Sequence, residues 1–423
     1  MNKVQPSERI SKEISELLEN GYEGTWDLLS TLVKKSTLKL IQEILEQEIK
    51  DYLGRGYYER NGSSVKGYRN GYEPRRLKTG EGVLEIAAPQ LRGTEETYRS
   101  ELLKNLGPIS SHLKRLVVES YARGLSTRDI DETFRTLDGK RLISKDGVSE
   151  ITQELSKEYE RFCKRDLSGY DVVYLFVDGI YESLRLEAGL KEALLCAWGI
   201  LSNGRKVLLH IALGNKESYD SWNHFFRDMI GRGLRMPLLV ISDGAPGLLK
   251  AIEDCFPESK RQRCIAHKLR NISNKLPQYA LEEMMPKVRN VFNQTDKEVA
   301  LLCATKLVEE YSRKYPSAIK CFQDDLDNSL NFMLFPAGHH KHIRTTNLLE
   351  RVFVEQKRRT KIIPRFLDEK SCLKLVYATL IRVSEKWRNV KMSEYDLSLL
   401  RNLRHLYGWK ESNDGFISKY IAA

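Results

Sequence analysis

Apolar positions recur at helical spacing toward both ends of the chain and crowd together at strand density in its middle. Between residues 8 and 53, Ile10, Ile14, Leu17 and Leu18, and then Leu38, Leu40, Ile41, Ile44, Leu45 and Ile49, fall on i, i+3, i+4 steps that predict helix. The second set forms either one wall of a small helical core or a self-association face. Residues 83–87 alternate like a short strand before Pro89. Residues 112–163 read as successive helices: Leu113, Leu116, Val117 and Tyr121 share a face, Gly124 stops that helix, and Ser126 with Asp129 makes a capping-box start for the next. Leu137-Asp138-Gly139-Lys140 turns the chain, and Ser144 caps a helix containing Val148, Ile151 and Leu155. Short helices joined by Gly-bearing turns suit a helix-turn-helix reader of DNA, and equally a plain helical bundle.

The middle is different. Residues 172–177, 193–201 and 207–213 predict strands, the last two joined by the turn Ser202-Asn203-Gly204-Arg205. A helix over 219–231 carries Trp222, Phe225, Phe226 and Ile230; residues 237–242 are another apolar strand, and 245–254 are helical. Strand, strand, strand, helix, strand, helix is the opening of a ribonuclease H-like core. Mostly helical sequence then fills about 268–340, which we read as an insertion in that core. Beyond Glu369 a helix with Leu373, Val376, Tyr377, Leu380 and Ile381 ends near Trp387. The expected architecture is α/β: a ribonuclease H-like catalytic core interrupted by an all-helical insertion and preceded by a mainly helical N-terminal DNA-binding region. The expected borders are 1–100, 101–167, 168–390 and a tail at 391–423.

Composition narrows the partner class. In 423 residues, 69 Lys and Arg against 58 Asp and Glu leave a net charge of +11, so a polyanion is the expected partner. No run approaches the ~20 apolar residues that span a bilayer, and the charged start lacks an apolar signal core, which predicts a cytoplasmic protein without a membrane role. Seven scattered cysteines argue for reduced thiols. In 54–78, Arg55, Arg60, Lys66, Arg69, Arg75, Arg76 and Lys78 interleave with Tyr57, Tyr58, Tyr68 and Tyr72; this is either a phosphate-binding, base-stacking segment or a solvated loop.

The candidate chemistry lies in three acids. Asp178 and Asp243 each follow an apolar strand, and Glu350 stands one turn into a helix that Thr346 or Asn347 can cap and that carries Arg351, Lys357, Arg358, Arg359 and Lys361. Taken singly, Asp178-Gly179 and Asp243-Gly244 are ordinary turn dipeptides. Taken together with Glu350, they form a set of hard oxygen ligands for Mg²⁺ or Mn²⁺, two ions per site, suited to in-line displacement at a phosphodiester. Cys264-x-x-His267 is half of a zinc motif, with nothing at the right spacing to complete it. We place His267 near the phosphate path with Arg261, Arg263 and Arg270, and Cys264 beside the sheet.

These residues resemble the Mutator-type transposases of bacterial insertion sequences. The likeness runs from about residue 38 to 387, through Gly67-Tyr68-Arg69-Asn70-Gly71-Tyr72, Gly124-Leu125-Ser126-Thr127-Arg128, Val177-Asp178-Gly179-Ile180-Tyr181, Trp222, Val240-Ile241-Ser242-Asp243-Gly244, Gln262-Arg263-Cys264 with His267, and Arg344-Thr345-Thr346-Asn347 leading to Glu350-Arg351. The resemblance implies an Asp-Asp-Glu triad at Asp178, Asp243 and Glu350, with Cys264 and His267 as a family signature. It implies cleavage at terminal inverted repeats, joining of the freed 3′ end to target DNA, and at least a dimer on DNA. Arg69, Arg75, Arg76, Arg128, Arg263, Arg344, Arg351, Lys357, Arg358 and Arg359 are the expected DNA contacts. A nuclease or junction resolvase on the same fold, and a DNA-binding regulator without chemistry, are the competing readings.

Overall fold

The computed structural model describes residues 4–19, 28–59, 66–136, 139–183, 191–214, 216–360 and 369–407, with the side chains of 181–183 and 191–192 left aside. Arg60, the Leu137-Asp138 pair, Lys361 and the tail beyond residue 407 lie outside the described residues. Two compact units divide between Glu154 and Leu155, whereas the sequence placed borders at 100 and 167.

In the first unit, α1 (Pro6–Glu19) and α2 (Leu28–Leu53) precede a long hairpin of β1 (Tyr68–Thr79) and β2 (Gly82–Arg92). The hairpin is much longer than the alternation at 83–87 predicts, because most of β1 is exposed and reads locally as loop. α2 turns Ile41 and Leu45 onto Leu77, Leu84 and Ile86, and Gln42 bonds both the N–H and the C=O of Ala87. Leu40 and Ile44 stay exposed, so only part of the set at 38–49 forms a wall of this core. α3 (Glu101–Asn105), α4 (Ser111–Ala122), α5 (Thr127–Thr133) and the start of α6 (Lys145–Lys164) follow, and Ser126 and Asp129 do form a capping box. Leu113, Val117, Ile130, Leu142, Ile143, Val148 and Ile151 form the core of α4 to α6, while Leu102 and Leu103 of α3 pack on the α2–hairpin core.

The second unit is built on a five-stranded sheet: β3 (Val172–Ser183), β4 (Lys191–Leu201), β5 (Lys206–Gly214), β6 (Leu239–Ser242) and β7 (Lys260–Arg263), in the order β5-β4-β3-β6-β7. β4 is antiparallel to both β3 and β5, while β3, β6 and β7 run parallel. β7 was not anticipated, since Lys-Arg-Gln-Arg has no strand pattern. Its buried Gln262 is satisfied from afar by the Ser329 carbonyl and the Phe332 N–H.

The helices α7 (Tyr219–Gly231) and α8 (Pro246–Cys255) pack Trp222, Phe225, Phe226, Leu248 and Ile252 against Leu175, Val177, Leu195 and Val240. The alternate positions of β3 face the other way. There Tyr174 meets Phe335 and His339, and Phe176 stacks on Trp198 at 4.0 Å. The helical excursion comprises α9 (Ile265–Ser273), α10 (Gln278–Phe292), α11 (Lys297–Tyr311), α12 (Pro316–Gln323), α13 (Leu326–Ser329) and α14 (His340–Ile343). The chain ends its described course in α15 (Asn347–Thr360), α16 (Glu369–Ser384) and α17 (Glu394–Leu406). α17 corrects the reading of 391–423 as featureless tail: a Ser393–Asp396 capping box starts it, and Arg404 reaches Asp171 at 2.6 Å. Among the described residues, no helix is long and apolar enough to cross a membrane.

Candidate active site

The parallel register decides where the two aspartates lie. Phe176 pairs with Ile241, so Asp178 and Asp243 each stand two residues farther on and, by the two-residue period, on the same face; Asp243 follows the end of β6, but Asp178 is still inside β3, paired with Cys196, rather than in the turn that Asp178-Gly179 suggested. Asp178 is buried; one carboxylate oxygen takes its own neighbour's N–H, from Gly179, at 2.9 Å. Asp243 opens the turn into α8: its Oδ1 accepts from the N–H of Ala245, the N-cap residue, at 3.0 Å. Gly244 makes that turn at φ +92°, in the left-handed region that favours glycine.

The third strand end brings in the Cys-x-x-His motif. Ser242 pairs with Arg263, so Cys264 is level with Asp243, and its N–H reaches the Ser242 carbonyl at 2.7 Å. Cys264 is fully buried, and α9 begins immediately after it. The distant segment 344–346 is clasped to this point. Ile265 N–H donates to the Arg344 carbonyl at 3.0 Å, and both the N–H and the hydroxyl of Thr346 donate to Cys264 Sγ at 3.3 Å. Thr346 makes this junction from the position immediately before α15, where its carbonyl accepts from the Glu350 N–H at 3.2 Å.

α15 starts at once and buries Leu349, Val352, Phe353, Gln356 and Thr360, which turns Glu350 back over α9. Its Oε1 lies 3.4 Å from His267 Nε2 and 3.7 Å from an Arg270 guanidinium nitrogen, yet accepts no hydrogen bond among the described residues.

The charges of these groups are coupled. Burial pushes the Asp178 carboxyl up to about 7; His267 pulls it down, while Asp243 and Glu350 push it higher. Hydrogen bonding to the Cys264 sulfur lifts the His267 imidazole to about 9 against the cost of burial, with Cys264, Asp178 and Glu350 charges adding. For Cys264, burial raises the thiol, but His267 and Thr346 outweigh it and leave it lowered. An imidazolium thus provides positive charge among the three acids.

As they stand, no three His, Cys, Asp or Glu side chains among the described residues enclose a metal ion, and neither the zinc half-motif nor the three acids forms a ready cage. The donor chemistry nevertheless fits a hard divalent cation. The acids supply oxygen only, burial and then the neighbouring acids raise Asp178, and the buried Oε1 of Glu350 accepts no hydrogen bond.

The expected DNA contacts fall into two groups. Arg75, Arg128, Arg351 and Lys357 are exposed, and Arg76 pairs loosely with Glu85 at 3.4 Å. The others are engaged within the fold. Arg69 bonds the Arg55 carbonyl and covers the Tyr57 ring, Arg344 reaches Asn293, and Arg358 and Arg359 share Glu355 at 2.8 Å each. Arg263 is turned inward beneath Gly244, paired with Asp324 at 3.5 Å and Asp325 at 3.8 Å.

Comparison with known proteins agrees with this arrangement of motifs. Residues 11–390 match the family model described as "Transposase, Mutator family". The chain is 31% identical over 379 residues to the transposase for insertion sequence element ISRM5 of Rhizobium meliloti (strain 1021), covering 89% of this chain and 92% of that protein. It is 35% identical over 271 residues to the transposase for IS6120 of Mycolicibacterium smegmatis, covering 64% and 84%. It is 28% identical over 380 residues to the transposase for IS256 in transposon Tn4001 of Staphylococcus aureus, covering 89% and 95%.

Proposed function

Because the chain belongs to the Mutator family of transposases, we propose that it is a Mg²⁺-dependent DNA transposase with a ribonuclease H-like core, and that Asp178, Asp243 and Glu350 are its catalytic cation ligands. The strand order, with two antiparallel strands followed by parallel ones and helices packed on one face, supports the core assignment. The level placement of Asp178 and Asp243 beyond Phe176 and Ile241, with Glu350 delivered by the Cys264–Thr346 clasp, is the observation that carries the proposal. When bound, two Mg²⁺ or Mn²⁺ ions supply activation of the attacking oxygen and stabilisation of the leaving oxygen at a phosphodiester.

The protein's own groups do the rest. Asp178 and Asp243 are fixed by strands, and His267 and Arg270 orient Glu350. Arg351 and Lys357, exposed on the same helix, hold phosphates beside the acids. Arg69, Arg75, Arg76 and Arg128 belong to the unit that reads the terminal inverted repeats. The reaction handles two element ends, cuts them and joins each 3′-hydroxyl to target DNA, which calls for at least a dimer on DNA.

The test is a cleavage and strand-transfer assay with wild type and Asp243→Asn on DNA carrying the element's ends. The wild type is expected to cut and to join pre-cleaved ends, and the variant to bind ends and do neither. Cutting without joining would mark a nuclease, and retained cleavage in the variant would refute the site.

A further inference from the structure

The motif Gly67-Tyr68-Arg69-Asn70-Gly71-Tyr72 leads into β1 with an irregularity built into the strand. Arg69 pairs with Leu91 and Tyr72 with Pro89, so two residues, Asn70 and Gly71, stand opposite the single residue Gln90. Gly71 takes up the extra residue at φ +84°, in the left-handed region that favours glycine. In a regular strand, residues three apart point to opposite sides. The bulge brings Arg69 and Tyr72 to the same side, where both line one cavity of the first unit.

That cavity holds about 430 Å³, which falls in the ~300–1,000 Å³ range of small-ligand sites. Tyr57, Tyr58 and Tyr72 supply its aromatic surface. The rings of Tyr57 and Tyr58 meet edge to face at 5.0 Å, and the Arg69 guanidinium, anchored on the Arg55 carbonyl at 2.9 Å, lies 5.5 Å from the centre of the Tyr57 ring. The helices contribute acids: Glu8 from α1, and Glu43 and Glu46 from α2. Glu46 is set in place by the Ser7 N–H at 3.0 Å, and Lys39 lies 3.6 Å from Glu43.

This lining decides what fits. Three carboxylates repel a phosphate group. Lys50 and Arg69 in the lining, with Arg75 and Arg76 exposed farther along β1, oppose a basic peptide. A flat, uncharged group suits both halves of the lining, with ring faces for the tyrosines and N–H donors on its edge for the carboxylates. Nucleobases taken out of a helix are bound by that combination of stacking and edge hydrogen bonds. Arg75 stands three residues beyond Tyr72, roughly 10 Å at the rise of a strand, so phosphates have a cationic contact outside the cavity.

We infer that this cavity takes one unstacked nucleobase of the element's end, against the tyrosine rings, while Arg75 and Arg76 hold the adjoining phosphates. The inference rests on the proposed reading of the chain as a transposase that binds its own DNA ends. It divides the segment 54–78 into two tasks, with base stacking inside the cavity and phosphate contact along the exposed strand. The bulge at Asn70-Gly71 is the device that aims Arg69 and Tyr72 into the first of these.

Binding of the full chain to DNA carrying the element's end, read by fluorescence anisotropy in EDTA so that no cleavage intervenes, tests this. Single abasic substitutions are moved through the end. With wild type, one position is expected to lose about tenfold in affinity. Tyr72→Leu keeps apolar bulk and removes the ring; it should lose a similar factor on intact DNA and lose nothing more at that abasic position, while Tyr72→Phe binds like wild type. Thermal melting reports whether Tyr72→Leu is folded, and Tyr58→Leu, at an exposed ring, repeats the measurement if it is not. Arg75→Ala should weaken binding by the same factor at every abasic position. If the losses from Tyr72→Leu and the abasic site add, or no abasic position matters, the cavity takes no base and end binding stands. Additive losses together with competition by an arginine-rich peptide would give the cavity to a basic protein segment instead. If wild type does not prefer end DNA to unrelated DNA, end recognition itself falls and the base site with it.

Discussion

Asp178 and Asp243 stand level on neighbouring parallel strands, each two residues past the paired positions Phe176 and Ile241. Neither side chain chose the other as a partner; the backbone register imposes the pairing of two like charges, and burial of Asp178 sharpens the conflict. Functional sites store such conflicts at the expense of stability. Asp178→Asn removes the buried charge without changing the side chain's size. We expect it to stabilise the metal-free chain at pH 8 by on the order of 1–2 kcal/mol, read from urea denaturation. A destabilised variant would mean that the carboxylate has a structural partner.

The Cys264 sulfur accepts two donors from Thr346, which ties the residue before α15 to the sheet. Cys264→Ala leaves the buried N–H and hydroxyl of Thr346 unpaired. The expected cost is about 1–3 kcal/mol of stability, together with loss of cleavage. Purified wild type should contain no stoichiometric zinc by elemental analysis; finding one zinc per chain would contradict this role.

On α15 the basic residues differ in how much charge they have to offer. Arg358 and Arg359 already share Glu355, whereas Arg351 and Lys357 face solvent. Removing Arg351 and Lys357 together should lower the slope of log affinity against log salt for DNA by about two. Removing Arg358 and Arg359 should change it less, because Glu355 is released at the same time. Equal slopes for the two double variants would show that the ion pairs open on binding.

His210 gives the second unit a defined acid response. Burial holds its imidazole down at about 3, with Arg232 adding and Asp228, at 3.3 Å, opposing. The folded chain therefore refuses a proton that the unfolded chain accepts near the ordinary value of 6.5. This contribution to stability is complete above pH 6.5 and is lost as pH falls toward 3, at up to ~1.4 kcal/mol per pH unit. Denaturation curves between pH 5 and 7.5 should show a shallower pH slope for His210→Gln than for wild type, and identical slopes would count against it.

The central strands and the helices packed on them were legible because strands buried on both faces read as continuous apolar runs. Asp178 and Asp243 were legible for the same reason, as the residues at which those runs stop. What stayed hidden depends on partners far along the chain. Gln262 looks like part of a basic loop until Ser329 and Phe332 satisfy it within β7. The bonds from Thr346 to Cys264 could not be read locally, and Arg263 looks like a phosphate ligand until Asp324 and Asp325 pair with it. The start of α17 is the exception: Ser393 followed by Asp396 was a readable capping box.

The bond from Ile265 to the Arg344 carbonyl has one more consequence. It shuts the base of the helical excursion, so the chain leaves the sheet and returns to it at a single gate. Whatever lies between is a detour whose length is decoupled from the position of Glu350, because enlarging an already closed loop adds only a logarithmic entropy cost. Evolution can lengthen, trim or re-equip those helices for new contacts while the reaction centre stays in register.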